Sequence, residues 1–228
     1  MNLEQVYDEC HKIDEKLKQL AQNSSFGDTD NRKHAFGVLC SQMIHYEMML
    51  HVLHARYSQI IQPPNVFQEV FGIGYDEQPQ WDEFQIISKV SYITLTQFVI
   101  ENFFKTLLSE LNTSQDPPTG FYKIVETLFD KITILDKQQK KDILNTMAMV
   151  RNSLHSNGIH VPLHPSLNSK SVTIGSQTFT FNKGQSTSIS ESQMIVLINE
   201  VINILDEIVK SVEIQRLGSV PILFTPKF

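Results

Sequence analysis

The stretch DEFQIISKVSYITLTQFVIENFFKTLLSELN, residues 82–112, decides the fold class. Phe84, Ile86, Ile87, Val90, Ile93, Leu95, Phe98, Val99, Ile100, Phe103, Phe104, Leu107, Leu108 and Leu111 leave it little polar surface. A helix that is apolar nearly all round belongs in the middle of a bundle. Asp116-Pro117-Pro118-Thr119-Gly120 punctuates its end.

The flanking segments supply partners for such a helix. Upstream, Leu3, Val6, Cys10, Ile13, Leu17 and Leu20 recur in steps of three and four, which predicts an amphipathic helix over 3–22. A polar loop, Asn23 to Asn31, leads to a longer helix over 32–62 with Phe36, Leu39, Met43, Tyr46, Leu50, Leu53 and Tyr57 on its apolar side. Pro63-Pro64 ends it, since proline lacks the amide proton and clashes with the preceding turn. Residues 63–80 read as a long loop that Phe67, Val70 and Phe71 dock onto the body. Trp81 reads as a core anchor.

Downstream, Phe121, Val125, Leu128, Phe129 and Ile132 share one side of a short helix. The next helix starts near Asp136, with Gln139 three residues on as in a capping box. Its core stripe is Ile143, Met147, Val150 and Leu154, and Asn157-Gly158 is its stop signal. Val172-Thr173-Ile174 and Thr178-Phe179-Thr180-Phe181 alternate around Gly175-Ser176, which predicts a hairpin with Val172 opposite Phe179. Ser190 with Gln193 caps a last helix, striped by Met194, Leu197, Ile198, Val201, Leu205, Ile208 and Val212 and ended by Gly218. The expected fold is mainly α: an antiparallel helical bundle with a small β-hairpin inserted before the last helix. Its organisation is N-terminal helices and loop over 1–80, a helical domain over 81–218 with hairpin 171–182, and an apolar tail over 219–228 that covers the body or a partner.

Composition limits the function classes. The chain has 228 residues, 41% hydrophobic and 19% charged, enough to bury a core without staples. A net charge of -6 argues against bulk electrostatic binding of nucleic acid, though not against a local basic groove. Cys10 and Cys40 have no metal-ligand spacing, and a reducing cytoplasm suits two such thiols. The acidic N-terminal segment lacks a signal-peptide core, and no uncharged apolar run reaches the roughly 18 residues of a membrane span. A soluble cytoplasmic protein without cofactor is expected.

Arg151-Asn152-Ser153-Leu154-His155-Ser156-Asn157-Gly158 is the polar cluster least explained by folding. At about 100° per residue, with Ile143 at zero, Arg151 falls near 80°, His155 near 120° and small Ala148 near 140°. A cation and an imidazole thus border the core beside a gap, as on the wall of a shallow cleft. In the alternative reading, Arg151 pairs with a neighbouring carboxylate and His155 caps its own helix. Lys137, Lys140 and Lys141 on the same helix either steer a polyanion or form a solvated face. Glu47, His51 and His54 share a helix face in steps of four and three; they are metal ligands or a polar rim. His160 and His164 extend the His155 site or play no part. Gly72-Ile73-Gly74 lacks the strand and helix that a dinucleotide fingerprint needs.

Arg-Asn followed shortly by His at the end of a helix, within a helical bundle, resembles the HEPN superfamily over roughly residues 82–215. Three residues separate Arg151 from His155, one fewer than that family's usual minimum. The resemblance implies a metal-independent endoribonuclease working as a homodimer, in which Arg and His of two subunits meet at the cleavage cleft. It assigns Arg151 to the scissile phosphate, His155 to proton transfer or phosphate binding, and Asn152 to orienting the site. Family members act as toxins, antiphage effectors and RNA-processing enzymes, so RNA and an antitoxin or other partner protein are the implied partners. The rival expectation is a non-catalytic interaction or dimerisation module.

Overall fold

The computed structural model describes residues 3–61, 78–111, 117–156, 158–162 and 168–222; for 3, 52–61 and 78–84 it describes the backbone alone. The elements in chain order are α1 (Leu3–Gln22), α2 (Asn31–Ile61), α3 (Gln78–Leu111), α4 (Phe121–Lys131), α5 (Lys137–His155), β1 (Ser169–Ile174), β2 (Gln177–Asn182), α6 (Glu191–Lys210) and α7 (Val212–Gln215). The architecture is the expected one, mainly helical with one antiparallel hairpin ahead of the last long helix. The loop expected at 63–80, with Phe67, Val70, Phe71 and Gly72-Ile73-Gly74, lies almost wholly outside the described residues, as do the Trp81 side chain and tail residues 223–228.

The order of packing follows from the apolar stripes. Val6, Cys10, Ile13 and Leu17 of α1 meet Phe36, Leu39, Met43, Tyr46 and Leu50 of α2, all buried. α2 lies on α3, and α3 lies on α4 and α5. α6 closes the bundle against α1 and α5 with Met194, Leu197, Ile198, Val201, Leu205 and Ile208 buried. Residues 80 and 81, the expected domain boundary, fall inside α3, and one core cluster draws on both sides of it. Among the described residues, no helix is long and apolar enough to cross a membrane. Cys10 and Cys40 are free and buried, and burial first, then nearby carboxylates, push both thiols up to about 12.

The central helix departs from its expected surroundings. Ile86, Ile87, Leu95 and Phe98 are exposed, Phe98 by 59%. The side of α3 that is buried carries Thr96, Gln97 and Thr106 among its phenylalanines and leucines. α2 covers one side of α3 and α4 and α5 cover another, while Lys89 ties its first half to the start of α6 through Ile189 O (2.9 Å) and Glu191 (3.0 Å). Apolar residues all round a helix therefore do not bring neighbours all round it.

The hairpin has the expected register, with Val172 facing Phe179 and Ile174 facing Gln177 across a turn led by Gly175 at φ 56°. Ile174, Phe179 and Phe181 are buried, while Ser171–Thr180 and Thr173–Thr178 pair their hydroxyls on the outer face. Ser190 and Gln193 form the full capping box of α6. Two helix ends differ from expectation. Asp136 sits at the N-cap of α5 but in the left-handed region (φ 51°, ψ 38°). A cap that bonds the first-turn amides sits in the extended region instead, and Asp136 makes no such bond. The last helix stops at Lys210, because Ser211 turns extended (ψ 147°). Val212 therefore leaves the stripe and is 55% exposed, and Ile214 of α7 is buried in its stead.

That break feeds a buried clamp. Arg32, 2% exposed, donates from Nε to Asp30 Oδ1 (2.9 Å) and from Nη2 to Oδ2. It also donates to the carbonyls of Ile214 (2.8 Å), Leu217 and Gly218, and its guanidinium lies 3.7 Å over the Phe26 ring. Asp30 Oδ2 accepts from the Val220 amide (3.1 Å), and Asn31 donates its amide to the Val220 carbonyl (2.8 Å). Val220, from the expected tail, is fully buried.

Candidate functional site

The second half of α5, the middle of α3, the start of α4 and the segment after Gly158 enclose a cavity of about 280 Å³. At about 30 Å³ per water, this is space for roughly nine waters or one small organic group. α5 contributes Asn145, Ala148, Arg151 and Asn152, where the small side chain of Ala148 leaves room as its helical phase predicts. α3 contributes Gln97 and Glu101, one turn apart, and α4 contributes Tyr122.

Arg151 donates from Nη1 to Asn152 Oδ1 at 2.9 Å, while its Nε is buried without a partner. Among the described residues, no carboxylate lies within ion-pair distance of Arg151, whereas Glu101 is answered by Lys105 at 2.7 Å. Asn145 Oδ1 and Gln97 Oε1 are also buried without a partner, in side chains 8% and 1% exposed. Each orphaned buried polar group costs about 1–3 kcal/mol, and three of them line one cavity. Oxygen and nitrogen of an amide are interchangeable at such positions, so each amide offers a donor or an acceptor to an occupant. The wall therefore suits a small anionic or polar group that accepts from a guanidinium and bonds two amides.

The structure separates Arg151 from His155. Arg151 and Asn152 lie on the cavity wall; His155, one turn on, is exposed and not part of that wall. The imidazole that lines the cavity with Arg151 belongs to His160, which is 2% exposed. Its position follows from the chain reversal after α5. Gly158 adopts φ 78° and donates its amide to the Ser153 carbonyl (2.9 Å), ending the helix where glycine was expected to end it. The next residues return along the hairpin, with His160 N donating to Gln185 O (3.0 Å) and Gly184 N to His160 O (2.9 Å). The His160 ring packs 5.4 Å from the Phe181 ring. The sequence carries no signal for this: the alternation of Ile159-His160-Val161 would bury the two apolar residues, yet they are 41% and 55% exposed and His160 is buried. Gln97 and Glu101 were not singled out by the sequence, where they are two of several polar residues along α3.

The three lysines on α5 are placed elsewhere. Lys137 donates to the Phe129 carbonyl (2.6 Å), Lys140 to the Leu135 carbonyl (2.7 Å) and to Glu207 (2.9 Å), and Lys141 to Glu126 (2.6 Å). The Glu126 hydrogen bond, more than its charge, raises the Lys141 pKa. Ten residues of helix put Lys141 about 15 Å from Arg151 along the axis, and none of the three lines the cavity. On α2, His51 is exposed beside Tyr7, with ring centroids 6.0 Å apart, and the His54 side chain lies outside the described residues, as does His164. Glu47 faces His11 of α1 instead, at 3.7 Å. Compared with known proteins, the chain matches no family model, no curated protein and no solved structure.

Proposed function

We propose that this chain is a metal-independent endoribonuclease that acts as a pair of identical chains, with Arg151, Asn152 and His155 at the cleavage site. The observation that carries this reading is the Arg151 guanidinium, set on a cavity wall with a buried unpartnered Nε and no carboxylate to neutralise it among the described residues. Such a cation is free to bind a phosphate. RNA supplies its own nucleophile. The 2′-oxygen gives its proton to a base and bonds to phosphorus, and the 5′-oxygen departs with a proton from an acid. The products are a 2′,3′-cyclic phosphate and a 5′-hydroxyl, and no metal is needed. Arg151 stabilises the charge that builds on the phosphoryl oxygens. His155, exposed one turn away, carries the proton. Asn152 fixes the guanidinium through its 2.9 Å hydrogen bond. Tyr122 and Val161, both lining the cavity and each 55% exposed, support a second chain docking over its mouth. Of the settings implied by the HEPN resemblance, a toxin or antiphage effector is the one we favour.

The rival reading, a non-catalytic interaction module, draws on the position of His155 outside the cavity. Cleavage of RNA in the presence of a chelator separates the two. Wild type is expected to cut, with loss of about 10²–10³-fold in Arg151→Ala and about 10²–10⁴-fold in His155→Ala. Equal activity in wild type and both variants, or none in wild type, overturns the proposal. Loss in His160→Ala with His155→Ala unaffected moves the proton step to His160.

A further inference from the structure

The seam between α1 and α2 holds two buried carboxylates, Asp14 at 1% and Glu47 at 7% exposure. Their surroundings differ. Asp14 receives Lys18 Nζ at 2.6 Å on Oδ2 and the Cys40 thiol at 3.0 Å on Oδ1. Glu47 has one oxygen, Oε1, buried without a partner, and its Oε2 faces only His11 Nδ1 at 3.7 Å, beyond hydrogen-bond reach. Burial first, and then the Asp14 charge, raise the Glu47 pKa, so the position is costly for an anion as it stands. The orphaned Oε1 is a free acceptor inside the seam.

His11 stands at the outer edge of the same seam, 54% exposed and stacked on Tyr7. One ligand atom each from His11, Asp14 and Glu47 lies within 4.8 Å of the others. Donors around a tetrahedral ion bound at about 2.1 Å stand about 3.4 Å apart, so the three draw together by up to about 1.4 Å to share one ion. The contacts of Asp14 leave a second lone pair on each oxygen.

We propose that His11, Asp14 and Glu47 bind a first-row divalent cation of the zinc class at the α1–α2 seam. One imidazole nitrogen and two carboxylate oxygens suit zinc or manganese better than magnesium or calcium, which take oxygen ligands. The exposed side of His11 leaves a coordination position for water. This site shares Glu47 with the Glu47, His51 and His54 set considered along α2 but takes its other two ligands from α1, and it shares no residue with the cavity of α3, α4 and α5. It therefore stands or falls separately from the nuclease reading.

The test is zinc titration of chelator-treated, dialysed full-length protein, followed by calorimetry and by thermal melting. One equivalent is expected to bind wild type and to raise its melting temperature. Glu47→Gln and His11→Ala are expected to weaken binding at least about tenfold, while His51→Ala binds as wild type does. His11 is exposed, so His11→Ala keeps the fold, and circular dichroism checks both variants. The proposal is overturned if wild type takes up no stoichiometric zinc. It is equally overturned if Glu47→Gln and His11→Ala bind zinc as tightly as wild type, or if only His51→Ala loses it.

Discussion

Arg32 is a charged side chain with almost no access to water, and Asp30 is what makes its burial tolerable. Removing one partner of such a pair strands the other, so Asp30→Ala is expected to cost about 3–5 kcal/mol, read from urea unfolding at pH 7. The pair also sets a pH dependence. Burial alone raises the Asp30 pKa, but hydrogen bonds from Arg32 and the Val220 amide, with the Arg32 charge, bring it below the usual value. A carboxylate depressed in the folded state stabilises the fold above its unfolded pKa of about 3.9. That contribution is lost as pH falls from there through the lower folded value. Urea midpoints of wild type are therefore expected to drop below about pH 4 more steeply than those of Asp30→Asn. None of this was legible in the sequence, where Asp30 and Arg32 flank the end of a polar loop. The backbone groups that complete the clamp lie 182 to 190 residues away, and no local pattern encodes that distance. The same holds for the cavity: Ala148 and Arg151 were placed correctly by helical phase, but which imidazole reaches the wall depended on the course of the chain after Gly158.

Helix and strand boundaries reflect how completely local chemistry sets an element. The box at Ser190 and Gln193 is wholly local, and sequence spacing found it. Ser190→Ala is expected to cost about 1 kcal/mol in chemical denaturation, because the Gln193 amide loses its acceptor. Asp136 is the opposite case. Its residue type suits a cap, yet the chain arriving from α4 sets φ at 51°, the one positive φ of a non-glycine residue among those described. Left-handed backbone is costly for a residue with a Cβ and cheap for glycine, and no cap bond is at stake. Asp136→Gly is thus expected to stabilise the protein by up to about 1 kcal/mol, and unchanged or lower stability would contradict this account. The hairpin was legible because a period of two and a glycine-led turn fix its register without reference to the bundle. The break at Ser211 was not, because the apolar spacing from Ile208 to Val212 continues across it. The chain departs from that spacing where Arg32 gathers the carbonyls of Ile214, Leu217 and Gly218.

For the whole molecule, periodicity identified the elements but not their neighbours. Met48, Ile87, Leu95 and Phe98 stay exposed although three of them lie on the helix expected to be most buried. The nuclease proposal places the partner chain over the cavity mouth, which gives the assembly a specific test. Wild type is expected to sediment as a dimer, and Tyr122→Glu combined with Val161→Glu as a monomer of unchanged melting temperature. A dimer that survives both substitutions would place the interface elsewhere. The clamp between the start of α2 and the end of α7 has a consequence for the order of synthesis. Arg32 emerges from the ribosome about 190 residues before Val220, the last of the described residues that complete its surroundings. At about 5–20 residues per second, the nascent chain carries that guanidinium without its final partners for roughly 10–40 s. During that interval α1 and α2 have an open end, so a translational pause or a truncation before Ile214 leaves a pair of helices that proteases and chaperones can recognise as unfinished.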